Sequence, residues 1–230
     1  MESRTFSIKE ALSVGCEKSW KSTRFLLGLF GIWCAYLVIA LIMRKIHPLL
    51  SFFDIFFISP LMTCGVIKIY YDIYTKNSSS YEQLYKSTKY YLASIVSVFY
   101  IALCALFVVM ITGGFVFGLL FFSKSSGIIV VYYGAVIVLS IIGAIIFGNT
   151  LTMYSLTFIA IVSNDATTAF KALSLSEKIT KGNRLKLGGA MILSLFLLVI
   201  SLGFLTSVIG VAWMHIYFRL KELHGEISSI

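Results

Sequence analysis

Charge is what this chain has least of. Asp, Glu, Lys and Arg make up 13% of its 230 residues, whereas 59% are hydrophobic and the mean hydropathy is +0.93. A soluble domain of this size has too little polar surface to cover so much Phe, Ile and Leu, and too small a core to hide it. An ordinary soluble domain is therefore excluded, and the bilayer is the solvent.

Cysteine is also scarce and unpaired in pattern. Cys16, Cys34, Cys64 and Cys104 form no Cys-x-x-Cys, so no disulfide framework or zinc site follows from their spacing. They read as small packing residues. Catalytic signatures are missing too: there is no His-Glu-x-x-His, no Gly-x-Ser-x-Gly elbow and no Gly-Lys-Ser/Thr phosphate loop. The serines and threonines lack a positioned His-Asp partner set. A non-enzymatic protein without cofactor or metal is expected.

Acidic residues are outnumbered, 10 against 19 Lys and Arg, for a net charge of +9. The basic residues flank apolar runs, so their expected partner is the anionic lipid surface of the cytoplasmic leaflet, not nucleic acid.

What the chain does have is long apolar runs. Phe25 to Met43 is close to the ~20 residues a bilayer requires and begins too late for a cleavable signal peptide. A second span is predicted from Leu49 to Tyr74, with a kink at Pro60, which lacks a backbone donor. Asn77 to Ser80 reads as a loop capping a helix over Tyr81 to Tyr91. A third span starts near Leu92, is interrupted at Gly113-Gly114 and ends in a turn over Ser123 to Gly127. Ile128 to Ser163 carries no charge and is too long for one upright helix, so it is expected to tilt, to kink at Gly143 or Gly148, or to extend beyond the bilayer. Leu187 to Leu220 suits two short spans turning near Gly203. Small-xxx-small spacings, Gly114 to Gly118 and Ala144 to Gly148, point to helix packing.

Three basic segments organise these runs. Lys18-Ser19-Trp20-Lys21, Lys86-Ser87-Thr88-Lys89 and Lys178-Ile179-Thr180-Lys181 each precede a span. Arg24 and Arg184 fall at one offset in the first and third, and Ala11-Leu12-Ser13 matches Ala172-Leu173-Ser174 across a one-residue gap. The span exits echo each other as well, Lys68-Ile69-Tyr70-Tyr71 and His215-Ile216-Tyr217-Phe218. The predicted architecture is an all-α, single-domain polytopic membrane protein of about six spans. It is built as three pseudo-repeats over residues 7–76, 80–163 and 165–223, each an interfacial amphipathic helix plus a helical hairpin. In the first helix Ile8, Leu12, Cys16 and Trp20 share an i,i+4 row that can enter the acyl boundary while lysines reach phosphates; Phe170, Leu173 and Ile179 are given the same role in the third. A helix packed on its neighbours is the alternative.

The positive-inside rule puts both termini and all three basic segments in the cytosol, leaving Arg44, Lys45 and Lys124 outside. Lys18, Lys21, Arg24, Lys86, Lys89, Lys178, Lys181 and Arg184 are thus the candidate lipid- or partner-binding residues. Asp54, Lys68, Asp72, Asn149 and His215 are the intramembrane polar candidates. Of these, Lys68 and Asp72 are spaced to pair at the cytosolic interface with Lys68 reaching toward water, and Asp54 is expected to stay wet near the outer interface. His215 reads as a lone interfacial histidine. Asn149 could bond a neighbouring helix or line a polar path, the latter being the small-transporter alternative.

Asn164 through Lys186, with its Ala172-Leu173-Ser174 helix and Thr180-Lys181-Gly182-Asn183-Arg184 turn, resembles the cytosolic segment of certain bacterial six-helix membrane families. These are the YciC-like inner-membrane proteins and the glycerophosphoryl diester phosphodiesterase membrane-domain group, whose ending Ile216 to Leu220 also resembles. The resemblance is to a membrane portion only. It implies a six-helix fold in a bacterial inner membrane and carries no catalytic residues.

Overall fold

The computed structural model describes residues 6–126, 129–201, 203 and 205–225, with side chains apart from those at 55, 116 and 119–134. Every regular element among the described residues is helical. α1 (Ile8–Lys21) starts at Ser7, whose hydroxyl accepts from Glu10 N and satisfies an otherwise orphaned donor. Ser22 alone separates it from α2 (Thr23–Ile46). His47, extended at φ −160, caps α3 (Pro48–Phe53), with Pro48 in the first turn, where a missing N–H costs nothing.

A π turn (Asp54–Ile58) then leads into α4 (Ser59–Lys76). This is the form that the expected Pro60 kink takes. In an α-helix the Pro60 ring would strike the Phe56 carbonyl; the π turn, closed by Ser59 N donating to Asp54 O, adds a residue and moves that carbonyl aside.

α4 ends at Asn77, left-handed at φ 55. The helix expected over Tyr81 to Tyr91 is instead broken into α5 (Gln83–Lys86) and a 3₁₀ turn (Ser87–Tyr90); Gly65 of α4 lets the Leu84 backbone of α5 approach closely. α6 (Tyr91–Ser126) passes Gly113-Gly114 unbroken and includes Ser123 to Ser126; Gly127, the end of the expected turn, lies outside the described residues. Glycine is tolerated in a helix where no water competes for the backbone.

α7 (Ile129–Tyr154) gives way to α8 (Thr157–Val162) at Ser155-Leu156 rather than at Gly143 or Gly148. The hydroxyls of Thr152 and Ser155 bond back to Asn149 O and Thr152 O there, which competes with the helical ladder. Gly143 serves contact instead: a Cβ there would lie 2.7 Å from Thr112 of α6, whereas Gly114, Gly118 and Gly148 meet nothing. α9 (Ala169–Thr180), α10 (Arg184–Ile200) and α11 (Thr206–Leu223) complete the chain. The turn between the last two is at Gly203, φ +87, whose carbonyl accepts from Thr206 N.

Among the described residues four helical stretches, 23–46, 48–76, 83–115 and 135–162, are long and apolar enough to cross a membrane, and α9 with α10, bent by 103°, would make a fifth. This is a helical membrane protein. α10 has 17 residues, and α11 carries Arg219, Lys221 and Glu222, so neither qualifies alone.

Packing divides the molecule in two. The base joins the second half of α4 to α1, α8, α9 and α11; Ile69, Leu156, Val162, Ile179, Tyr217 and Leu220 are sealed within it. Away from the base, α2, α6, α7 and α10 stand as arms with Leu41, Phe107, Ile145 and Ile192 exposed. Glycine allows the tightest contacts of the base. Gly15 of α1 brings α11 so close that a Cβ would sit 2.4 Å from Val208 O, and Gly210 receives the Tyr70 ring.

Candidate functional site

α1 turns the small stripe Ala11, Gly15 and Ser19 to α11, so its apolar row faces outward: Ile8 and Leu12 are half-buried, Cys16 is exposed and Trp20 is 84% exposed. The cations beside that row have different partners. Lys18 Nζ donates to Tyr74 O at 2.5 Å and to Asn77 Oδ1 at 3.3 Å and lies over the Tyr74 ring, so it caps the C-terminus of α4. Lys21 pairs with Glu17 at 2.9 Å on the surface, and that bond holds the Glu17 carboxyl below its ordinary range. Arg24 is exposed. Trp20, Lys21, Arg24 and Phe25 line one cleft with Ser78 and Ser79. Tyr81, whose hydroxyl donates to Phe25 O at 2.9 Å, ties the second basic segment to the start of α2.

In that second segment Lys86 pairs with Glu82, and Lys89 is exposed over the Tyr90 ring, 4.7 Å from its centroid. In the third, α9 also starts at a hydroxyl cap, Thr168 Oγ1 accepting from Lys171 N, and also buries a small stripe, Ala172, Ser176 and Thr180. Leu173 and Ile179 are buried with it, against the expectation that they face lipid; only Phe170 of that trio is exposed. α9 packs against α6, α7, α8 and α11. Lys178 and Lys181 are exposed.

Arg184, first residue of α10, meets a residue assigned to a different role. Its Nη1 lies 3.4 Å from Asn149 Oδ1, its Nη2 is 4.0 Å from Glu177, and its Nε is buried without a hydrogen-bond partner. Asn149 is exposed on the wall of a groove of about 750 Å³ between α7 and α10, level with the start of α10.

The other intramembrane polar residues are bound within the protein. Asp54 is buried, not wet: Tyr36 of α2 donates to it at 2.7 Å, because the π turn directs its carboxylate onto α2. Lys68 and Lys76 approach Asp72 at 3.2 and 3.4 Å without hydrogen-bonding geometry, so the attraction is coulombic. Lys68 stays mostly buried over the Tyr71 ring instead of reaching outward. His215 is held between helices. Nδ1 meets Tyr74 Oη at 3.2 Å and Nε2 lies 3.5 Å from Glu10, joining α1, α4 and α11.

One cluster escapes a reading of the sequence. Asp165, between α8 and α9, accepts from Lys221 Nζ at 2.6 Å, Tyr217 Oη at 2.5 Å and Ser163 Oγ at 2.6 Å. Burial alone would raise its carboxyl, but these bonds outweigh it and hold the group below the usual carboxylate range. Its only sequence signal is an acidic residue in a basic segment. Among the described residues, no cluster of His, Cys, Asp and Glu could hold a metal ion.

No protein-family model, curated protein or solved structure matches the chain.

Proposed function

We propose that the protein is a non-enzymatic, multi-pass bacterial inner-membrane protein that holds anionic lipid through its basic pole. In this reading α10 and α11 form a short hairpin, giving six spans with both termini in the cytosol. The resemblance of Asn164 to Lys186 and the Lys/Arg asymmetry support that topology. The three-unit plan draws support from α1 and α9, which share a hydroxyl cap and a buried small-residue stripe at corresponding positions.

One observation carries the lipid reading. Exposed cations lie within four residues of exposed large apolar residues in all three segments: Lys21 and Arg24 of Trp20, Lys89 of Leu92, and Lys181 of Leu185, which is 94% exposed. Such pairs suit the headgroup boundary, where a cation meets phosphate while its neighbour enters hydrocarbon. Mass spectrometry of lipids co-purified with the protein tests this. The Lys21→Gln/Arg24→Gln/Lys89→Gln/Lys181→Gln variant loses the enrichment of anionic over zwitterionic lipid. Unchanged enrichment, or a stoichiometric protein partner that those changes release, overturns it. Reporters in the Gly203 turn and at the C-terminus report on opposite sides if α11 spans.

A further inference from the structure

The groove between α7 and α10 is built like a lipid-binding site. Gly148 and Gly189 leave it open, since a Cβ at either would meet no atom within 4 Å. Ala144, Ile145 and Ile192 make its walls apolar. At one end sits a guanidinium with spare capacity. Arg184 has one long hydrogen bond to Asn149, a distant carboxylate in Glu177 and a buried, unbonded Nε. The buried Nε is closed to a ligand, but the Nη groups of this part-exposed side chain, held by one long hydrogen bond and a distant carboxylate, can donate charge-assisted bonds to an anion. The same end is the N-terminus of α10, where Asn183 makes no side-chain cap bond, so the positive dipole end of the helix lies beside the guanidinium.

We propose that this groove binds one anionic phospholipid, its headgroup phosphate on Arg184 and the first turn of α10, one acyl chain running past Gly189 toward Ile192. The dimensions agree. From Arg184 to Ile192 α10 rises about 12 Å, against roughly 15 Å of hydrocarbon in one leaflet. A volume of about 750 Å³ lies within the usual range of ligand pockets. Charge and shape are thereby read at separate places: Arg184 selects the headgroup, and the glycine-lined wall accepts the chain. The inference rests on the lipid reading above but assigns it to one place.

Native mass spectrometry of the full-length protein, titrated with phosphatidylglycerol or phosphatidylcholine of equal chain length, tests it. Wild-type protein binds one phosphatidylglycerol ahead of all others. Arg184→Gln weakens that first event about tenfold, the scale of one charge-assisted hydrogen bond, and leaves phosphatidylcholine unchanged. Gly189→Leu and Gly148→Leu fill the groove and abolish the preferred site while melting temperature is kept. If the filled variants bind as wild type, or break a dimer instead, the groove assignment is overturned. The four-cation variant separates the two ideas. Should it lose anionic lipid while the Arg184 and glycine variants keep it, the groove fails and the broader reading stands; if no variant loses lipid, both fail.

Discussion

The base and the arms are made of similar residues put to opposite uses. Ile179 in the base has no exposed surface, whereas Ile145 on an arm is 65% exposed. The base joins helices through small residues, Gly15 against Val208 and Gly210 against Tyr70, and fixes them with polar links such as Asp165 to Lys221. The arms carry large branched residues with few protein neighbours. Hydrocarbon is as apolar as leucine, so an arm gains nothing by burying its side chains against protein; helices associate in lipid by close packing and hydrogen bonds. Specific structure is therefore concentrated where small and polar residues meet, and bulk apolar residues mark where lipid takes over.

Paired substitutions break or sharpen that contrast. Ile179→Ala removes a sealed side chain and is expected to cost about 2–5 kcal/mol, while Ile145→Ala leaves the melting temperature of the detergent-solubilised protein unchanged. Equal losses at both would mean that the arms pack against protein. Gly15→Ala forces α1 away from the Val208 carbonyl and costs about 3 kcal/mol, the upper range for overpacking; Gly31→Ala on α2, where a Cβ meets nothing, has no such cost. Proteolysis of α1 in the Gly15 variant gives the readout.

Asp165→Asn is expected to cost about 2 kcal/mol, as a bond to a charged group is lost. Because the folded carboxyl lies below its ordinary range, the stabilisation is present above the unfolded pKa and disappears as pH falls through the folded one. A wild-type protein whose stability stays flat across that acid range, or falls there no more than that of Asp165→Asn, would rule this out. The smallest effect belongs to Lys21→Gln, whose exposed pair with Glu17 adds about 0.5 kcal/mol or less. Thermal melts should scarcely register it.

Much of the fold is legible residue by residue. Pro60 marks the irregular turn because a missing donor and a ring clash are local facts, and Gly203 marks the last turn because its backbone is left-handed. The failures share a cause. Asp54 reads as a wet interfacial carboxylate, yet the π turn that Pro60 induces aims it at Tyr36. Leu173 and Ile179 have the spacing of a lipid-facing stripe, but amphipathic spacing does not say whether lipid or protein covers the apolar side. Lys18 reads as a lipid- or partner-binding cation, and that it also caps α4 is not visible in its spacing. In the candidate site, Arg184 and Asn149 are each visible in the sequence, but their meeting is not.

Sequence alone determined the solvent and the helices. Apolar run length selects the bilayer, and in hydrocarbon each helix must satisfy its own backbone, so its existence depends on neighbours in the chain. Tertiary structure alone decided which faces meet. The pairs that define the base and the groove, Asp165 with Lys221 and Asn149 with Arg184, are 56 and 35 residues apart. Contact over such separations depends on how the helices cross, and that is settled by side-chain shape and packing, not by the hydrophobic pattern that made the helices.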